Sequence, residues 1–129
     1  MSMPKPLPVA AALAFLISFA NAEDTLPKLQ EQRRAVLKAI IEQVEAEHHA
    51  GLSSVDALFN AKVNLARFEL SLATTLTERQ RLQRGIVQIE QERCDTKERL
   101  QQTGRITSKE LLIAQDRLLK EKIALLNLK

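Results

Sequence analysis

Three features of this 129-residue chain predict an all-α fold of antiparallel helical hairpins, closing as a four-helix bundle or a coiled coil. Apolar residues return at three- and four-residue steps through most of its length, the period of one helix face. Gly51 and Gly104 interrupt those runs, and each is followed by a hydroxyl residue suited to open the next helix. The chain also repeats itself: residues 51–61 return 53 positions later as residues 104–114. At that offset Gly51/Gly104, Leu58/Leu111, Ala61/Ala114, Leu65/Leu118 and Leu72/Leu125 are identical, and Ser54/Thr107 is conservative. The identities fall on turn and seam positions, where packing decides the residue type.

The first helix is written by Leu26, Leu29, Val36, Leu37, Ile40, Ile41, Val44 and His48, with Glu, Gln, Arg and Lys between them. Pro27 belongs in its first turn, where a missing N–H is harmless, and Gly51 ends it by accepting a left-handed backbone. The second helix opens at Ser53 or Ser54, and Asp56 adds negative charge where the helix dipole favours it. Its seam is Leu58, Ala61, Leu65, Phe68 and Leu72, the alternating spacing of knobs-into-holes packing. Thr74, Thr75, Leu76 and Thr77 then break the pattern, and Thr75 with Glu78 forms a capping box. A tight reversal is expected there, with a helix running straight through as the alternative.

The third helix carries Leu82, Ile86, Ile89, Arg93 or Cys94, and Leu100, a narrow stripe that predicts an edge position. Gly85 inside it marks either a close helix approach or simple tolerance, at about 1 kcal/mol relative to alanine. Gly104 stops this helix, and Thr107 with Glu110 forms a second capping box. The fourth helix presents Leu111, Leu112, Ala114, Leu118, Leu119, Ile123, Leu125, Leu126 and Leu128 on a broad apolar face. A broad face against a narrow stripe predicts apolar surface left over, hence a protein partner or self-association. Short connections make the neighbours antiparallel, in two helix–glycine turn–helix repeats at about residues 26–73 and 77–127.

Lys5, the apolar run at residues 9–19 and the small residues Ala20, Asn21 and Ala22 have the order of an export signal. The run of roughly 11 residues is short of the roughly 20 that span a bilayer, which favours cleavage over a retained anchor. The expected layout is a signal peptide at 1–22 and a helical domain at 23–129, exported to a periplasm or secreted, with no transmembrane segment in the mature chain. No cysteine follows the small residues, which argues against a lipoprotein. The net charge of +3 is spread with both signs interspersed, so no nucleic-acid partner is expected. With no Trp or Tyr, and Phe59 and Phe68 as the only aromatics after the signal, the chain lacks the girdles of a membrane β-barrel.

The chemistry-bearing residues form no reaction centre. Ser and Thr sit at expected caps, carboxylates alternate with Lys and Arg as in exposed ion pairs (Glu90, Glu92 and Arg93; Lys97, Glu98 and Arg99), and no phosphate loop or Cys/His cluster is present. Neither an enzyme nor a cofactor is expected. His48 and His49 are weak metal candidates, since adjacent residues point about 100° apart on a helix, and polar residues near a helix C-terminus explain them as well. Cys94, the sole cysteine, is either a small buried hydrophobe or a thiol for an intermolecular disulfide. Arg79, Arg81 and Arg84 concentrate positive charge at the start of the third helix, as a solvated face or a contact for an acidic partner.

Residues 51–72, and again 104–125, resemble the Gly-x-x-[Ser/Thr]-x-x-[Asp/Glu]-x-Leu-x-Ala signature of TolC-type outer-membrane efflux proteins. The resemblance implies a periplasmic helical hairpin with Gly51 and Gly104 as tip turns facing adaptor proteins, Ser54 and Thr107 as caps, and Asp56 and Glu110 beside them. It covers most of residues 28–127. The two acids do not align at the 53-residue offset, and the sequence shows no counterpart of that family's β-barrel and long helices, so no channel activity is expected. Leu76, Thr77 and Gln80 are similar to the Leu-Thr-x-x-Gln signature of small periplasmic Spy- and CpxP-like chaperones and metal-responsive proteins, the second reading.

Overall fold

The computed structural model describes residues 24–129, and the expected export signal at 1–22 lies outside them. The fold is all-α, as the periodicity predicts: α1 (Leu26–His49), α2 (Val55–Leu72), α3 (Leu76–Gln102) and α4 (Ser108–Leu126), with no strand among the described residues. None of these helices is long and apolar enough to cross a membrane. The chain divides into two compact units, Met1–Ala61 and Lys62–Lys129, with the boundary inside α2.

In the first unit α1 begins after Thr25, whose backbone is extended and whose side chain makes no capping bond. Pro27 sits in the first turn, where its missing donor leaves nothing unsatisfied. No residue of α1 is fully buried; Leu29 and Ile40 are exposed. The opening turns of α2 contribute Phe59 and Ala61 to the buried set.

In the second unit the helix breaks where the threonine cluster predicts. α2 ends at Leu72, and α3 starts behind Thr75, whose Oγ1 accepts from the Glu78 N–H at 3.2 Å. The capping box is half made, because the Glu78 carboxylate turns to Arg81, with Nε donating at 3.0 Å, in a charge-assisted bond stronger than one to a neutral amide. α3 and α4 pack as an antiparallel hairpin: Gln83, early in α3, meets Glu121, late in α4, while Cys94 clusters with Ala114 and Leu118. Val87 packs against that cluster.

The edge position expected for α3 is not what forms. Gln83, Ile86, Glu90, Arg93, Cys94 and Lys97 are all buried, so α3 carries more of the interior than α4 does with Ala114, Leu118 and Glu121. Gly85 has no atom within 4 Å of the place a Cβ would take. It is tolerated in open space, and no close helix approach requires it.

Candidate functional site

The two glycine turns are built alike, bond for bond. In the first, Gly51 N–H donates to the His48 carbonyl at 3.0 Å and Leu52 N–H reaches back to the Glu47 carbonyl at 2.7 Å. In the second, Gly104 N–H donates to Gln101 at 3.0 Å and Arg105 N–H to Leu100 at 2.8 Å. Each pair is a Schellman motif, which satisfies carbonyls that a helix C-terminus would otherwise strand. The motif needs a left-handed residue, and Gly51 and Gly104 have φ of +76° and +74°. The next helices are then capped at equivalent positions, Ser54 Oγ accepting from Ala57 N–H and Thr107 Oγ1 from Glu110 N–H, both at 3.2 Å.

The tips differ in what they display. Around Gly51, the Glu47 carboxylate accepts from Gln43 Nε2 at 2.7 Å and from Ser53 Oγ at 3.1 Å, and His48 Nδ1 lies 3.2 Å from the Ser53 carbonyl oxygen. That web fixes the turn and leaves Leu52 80% exposed at its apex. At the 53-residue offset Leu100, Gln101 and Ile106 stand opposite Glu47, His48 and Ser53, so the second turn cannot make that same polar brace. His48 and His49 have ring centroids 6.2 Å apart at 51°, and no group of three His, Cys, Asp or Glu side chains among the described residues is placed to hold a metal ion.

The seam expected at Leu58, Ala61, Leu65, Leu72, Leu111, Ala114, Leu118 and Leu125 divides by depth. Ala61, Ala114 and Leu118 are buried, and the five leucines that remain are half-buried. Between Leu118 and Leu125 the spacing leaves one place open, and Glu121 occupies it. At the 53-residue offset Glu121 is the counterpart of Phe68, and both are 6% exposed. Two equally buried positions 53 residues apart therefore hold a phenyl ring and a carboxylate. A carboxylate there must be paired, and it is: Glu121 accepts from Gln83 Nε2 at 2.8 Å and from Arg67 of α2, while Gln83 Nε2 also reaches the Glu121 carbonyl at 3.0 Å. Three helices meet on this one side chain.

The charged residues of α3 overturn the expectation that its carboxylates and cations are solvated pairs. Glu90 and Arg93 are buried, and Arg93 Nη2 donates to Glu90 Oε1 at 3.2 Å. Lys97 is buried as well. Gln83, Ile86, Glu90, Arg93 and Lys97 follow an unbroken three-four spacing, which shares Ile86 and Arg93 with the stripe read from Leu82, Ile86, Ile89, Arg93 or Cys94, and Leu100 and departs from it at the other positions. The buried face of α3 thus mixes apolar Ile86 and Cys94 with amide and charged side chains. Ile86 and Arg93 share a heptad phase, but a charged residue in that phase does not by itself say that the face turns inward.

The surplus apolar surface expected on the fourth helix is present. Leu112, Leu119, Ile123 and Leu126 of α4 are 63%, 57%, 58% and 84% exposed, on the side away from Ala114, Leu118 and Glu121. Cys94 lies in the interior, 6% exposed, and burial pushes its thiol up from the ordinary value, with Glu90 and Asp95 adding to the shift. At the start of α3, Arg81 is paired with Glu78 and holds that carboxyl below its ordinary value, chiefly through the hydrogen bond. Comparison with protein families, with curated proteins and with solved structures gives no match.

Proposed function

We propose that this chain is an exported, non-enzymatic helical interaction protein of the bacterial envelope type, a small relative of the periplasmic hairpins of TolC-type efflux proteins that docks other envelope proteins through its glycine tips. The observation that carries this reading is the duplicated turn: two Schellman motifs with left-handed Gly51 and Gly104, in equivalent places of a 53-residue repeat. A turn made twice to the same bonds holds an exposed apex, Leu52 in one copy and Arg105 in the other, in a defined orientation. That arrangement suits the presentation of side chains to a partner.

Fractionation of cells against a periplasmic marker tests export. A photo-crosslinker at Leu52 or Arg105 tests the tips: each is expected to capture an envelope protein, and the same group at exposed Gln88 is not. Retention of the chain in the cytosolic fraction, or equal capture at all three positions, would sink the proposal. The exposed apolar surface of α4 supports a second reading, a Spy- or CpxP-like holdase. It is separated from the first by suppression of aggregation of an unfolded client that survives Gly51→Val and Gly104→Val.

A further inference from the structure

We propose that a second copy of this chain docks on the outer face of α4, antiparallel to it and related by a two-fold axis. This contact involves a face other than the glycine tips and stands whether or not those tips bind in the envelope. Leu112, Leu119 and Leu126 recur every seven residues, and Ile123 lies between the last two, which makes them the d and a positions of a heptad. All four are more than half exposed. The remaining a positions are Asp116 and Lys109, and the flank beside them carries Lys120; all three are exposed.

Those charges choose the direction. A parallel pairing sets a against a, so Asp116 would face Asp116 and Lys109 would face Lys109 in a layer shielded from water, which like charges oppose. Reversing one helix sets a against d. Leu112 then meets Ile123 of the second copy, and Leu119 lies beside Asp116 of the second copy. In the same register the Asp116 carboxylate comes level with the Lys120 ammonium of the second copy, and the two-fold axis makes each contact twice. Lys109 lays its aliphatic stem over Leu126 of the second copy and keeps its ammonium in water. In this arrangement the stripe is complementary to itself in its apolar pairs and in charge.

Sedimentation equilibrium of the purified chain tests the pairing and is expected to give a dimer. Leu119→Asp, at an exposed position, is expected to give a monomer with an unchanged helical circular dichroism spectrum. Asp116→Lys and Lys120→Asp should each raise the dissociation constant about tenfold or more, and the double exchange should restore it. In a Cys94→Ala background, Leu112→Cys mixed with Ile123→Cys is expected to give a disulfide-linked dimer, and Leu112→Cys alone is not. A chain that stays monomeric at every concentration, association unmoved by Leu119→Asp, failure of the double exchange to restore it, or efficient linking of Leu112→Cys to itself would each overturn the proposal.

Discussion

Gln83 donates to both acceptors of one residue, the Glu121 carboxylate at 2.8 Å and the Glu121 backbone carbonyl at 3.0 Å, and so locks the register of α3 against α4. An amide that grips side chain and main chain together tolerates no slip of the hairpin by one turn. Gln83→Leu leaves the carboxylate buried with Arg67 as its remaining partner, and the expected loss is about 1–3 kcal/mol in urea unfolding. Adding Glu121→Leu, which puts an apolar side chain there as Phe68 does 53 residues earlier, is expected to recover most of that loss. If Gln83→Leu alone is neutral, the network is not what holds the register.

The buried pair on α3 predicts an asymmetric response. Arg93→Met removes the partner of a carboxylate whose Oε2 already lacks a hydrogen bond, and the expected destabilisation is about 3–5 kcal/mol. Replacing Glu90 and Arg93 together by leucine and methionine removes both desolvated charges and should lie closer to the parent. Thermal unfolding of the two variants decides it, and equal losses would show that the charges are not energetically coupled.

The three glycines separate into two kinds. Gly51→Ala and Gly104→Ala each force an L side chain into a left-handed backbone, at about 1–2 kcal/mol, and since no atom lies within 4 Å of either added Cβ the loss is one of backbone alone. Asn, which enters that region more readily, should be milder than Ala at both. Gly85→Ala lies in a helix with equally open space and is expected to stabilise by about 0.5–1 kcal/mol. A destabilised Gly85→Ala would reveal a neighbour at that position in solution.

Cys94 predicts a pH dependence of definite sign. Because burial raises its pKa, the folded chain keeps the thiol proton at pH values where the unfolded chain has released it. The contribution is intact below the unfolded thiol's pKa and is lost as the pH climbs through the folded one, so stability should fall above the ordinary thiol range. Cys94→Ala should remove that part of the alkaline decline. Alkylation of native Cys94 should be slow, and a rate near that of the unfolded chain would refute its burial.

How much was legible differs from element to element. The turns were fully so: Gly51 and Gly104 have φ above zero, and Thr75 and Thr107 cap, because each acts within a few residues of itself. The break after Leu72 was legible for the same reason. Glu90, Arg93 and Lys97 were not, since a charged heptad looks the same on paper whether it faces water or a neighbouring helix. Glu121 could have been found, because Ala114, Leu118 and Leu125 leave a gap of the right spacing at its position.

Local chemistry in the sequence was enough to determine an all-α chain, the places where its helices start and stop, and the recurrence of one turn at a 53-residue interval. Caps, left-handed glycines and helical period act over a few residues, so no distant contact is needed to specify them. Tertiary structure alone decided which face of α3 turns inward and which of the leucines of α4 stay outside. Rotation of a helix about its axis is set by the sum of contacts with its neighbours, and here that sum brings Gln83, Arg67 and Glu121 together from three helices while Leu112 and Leu119 stay outside.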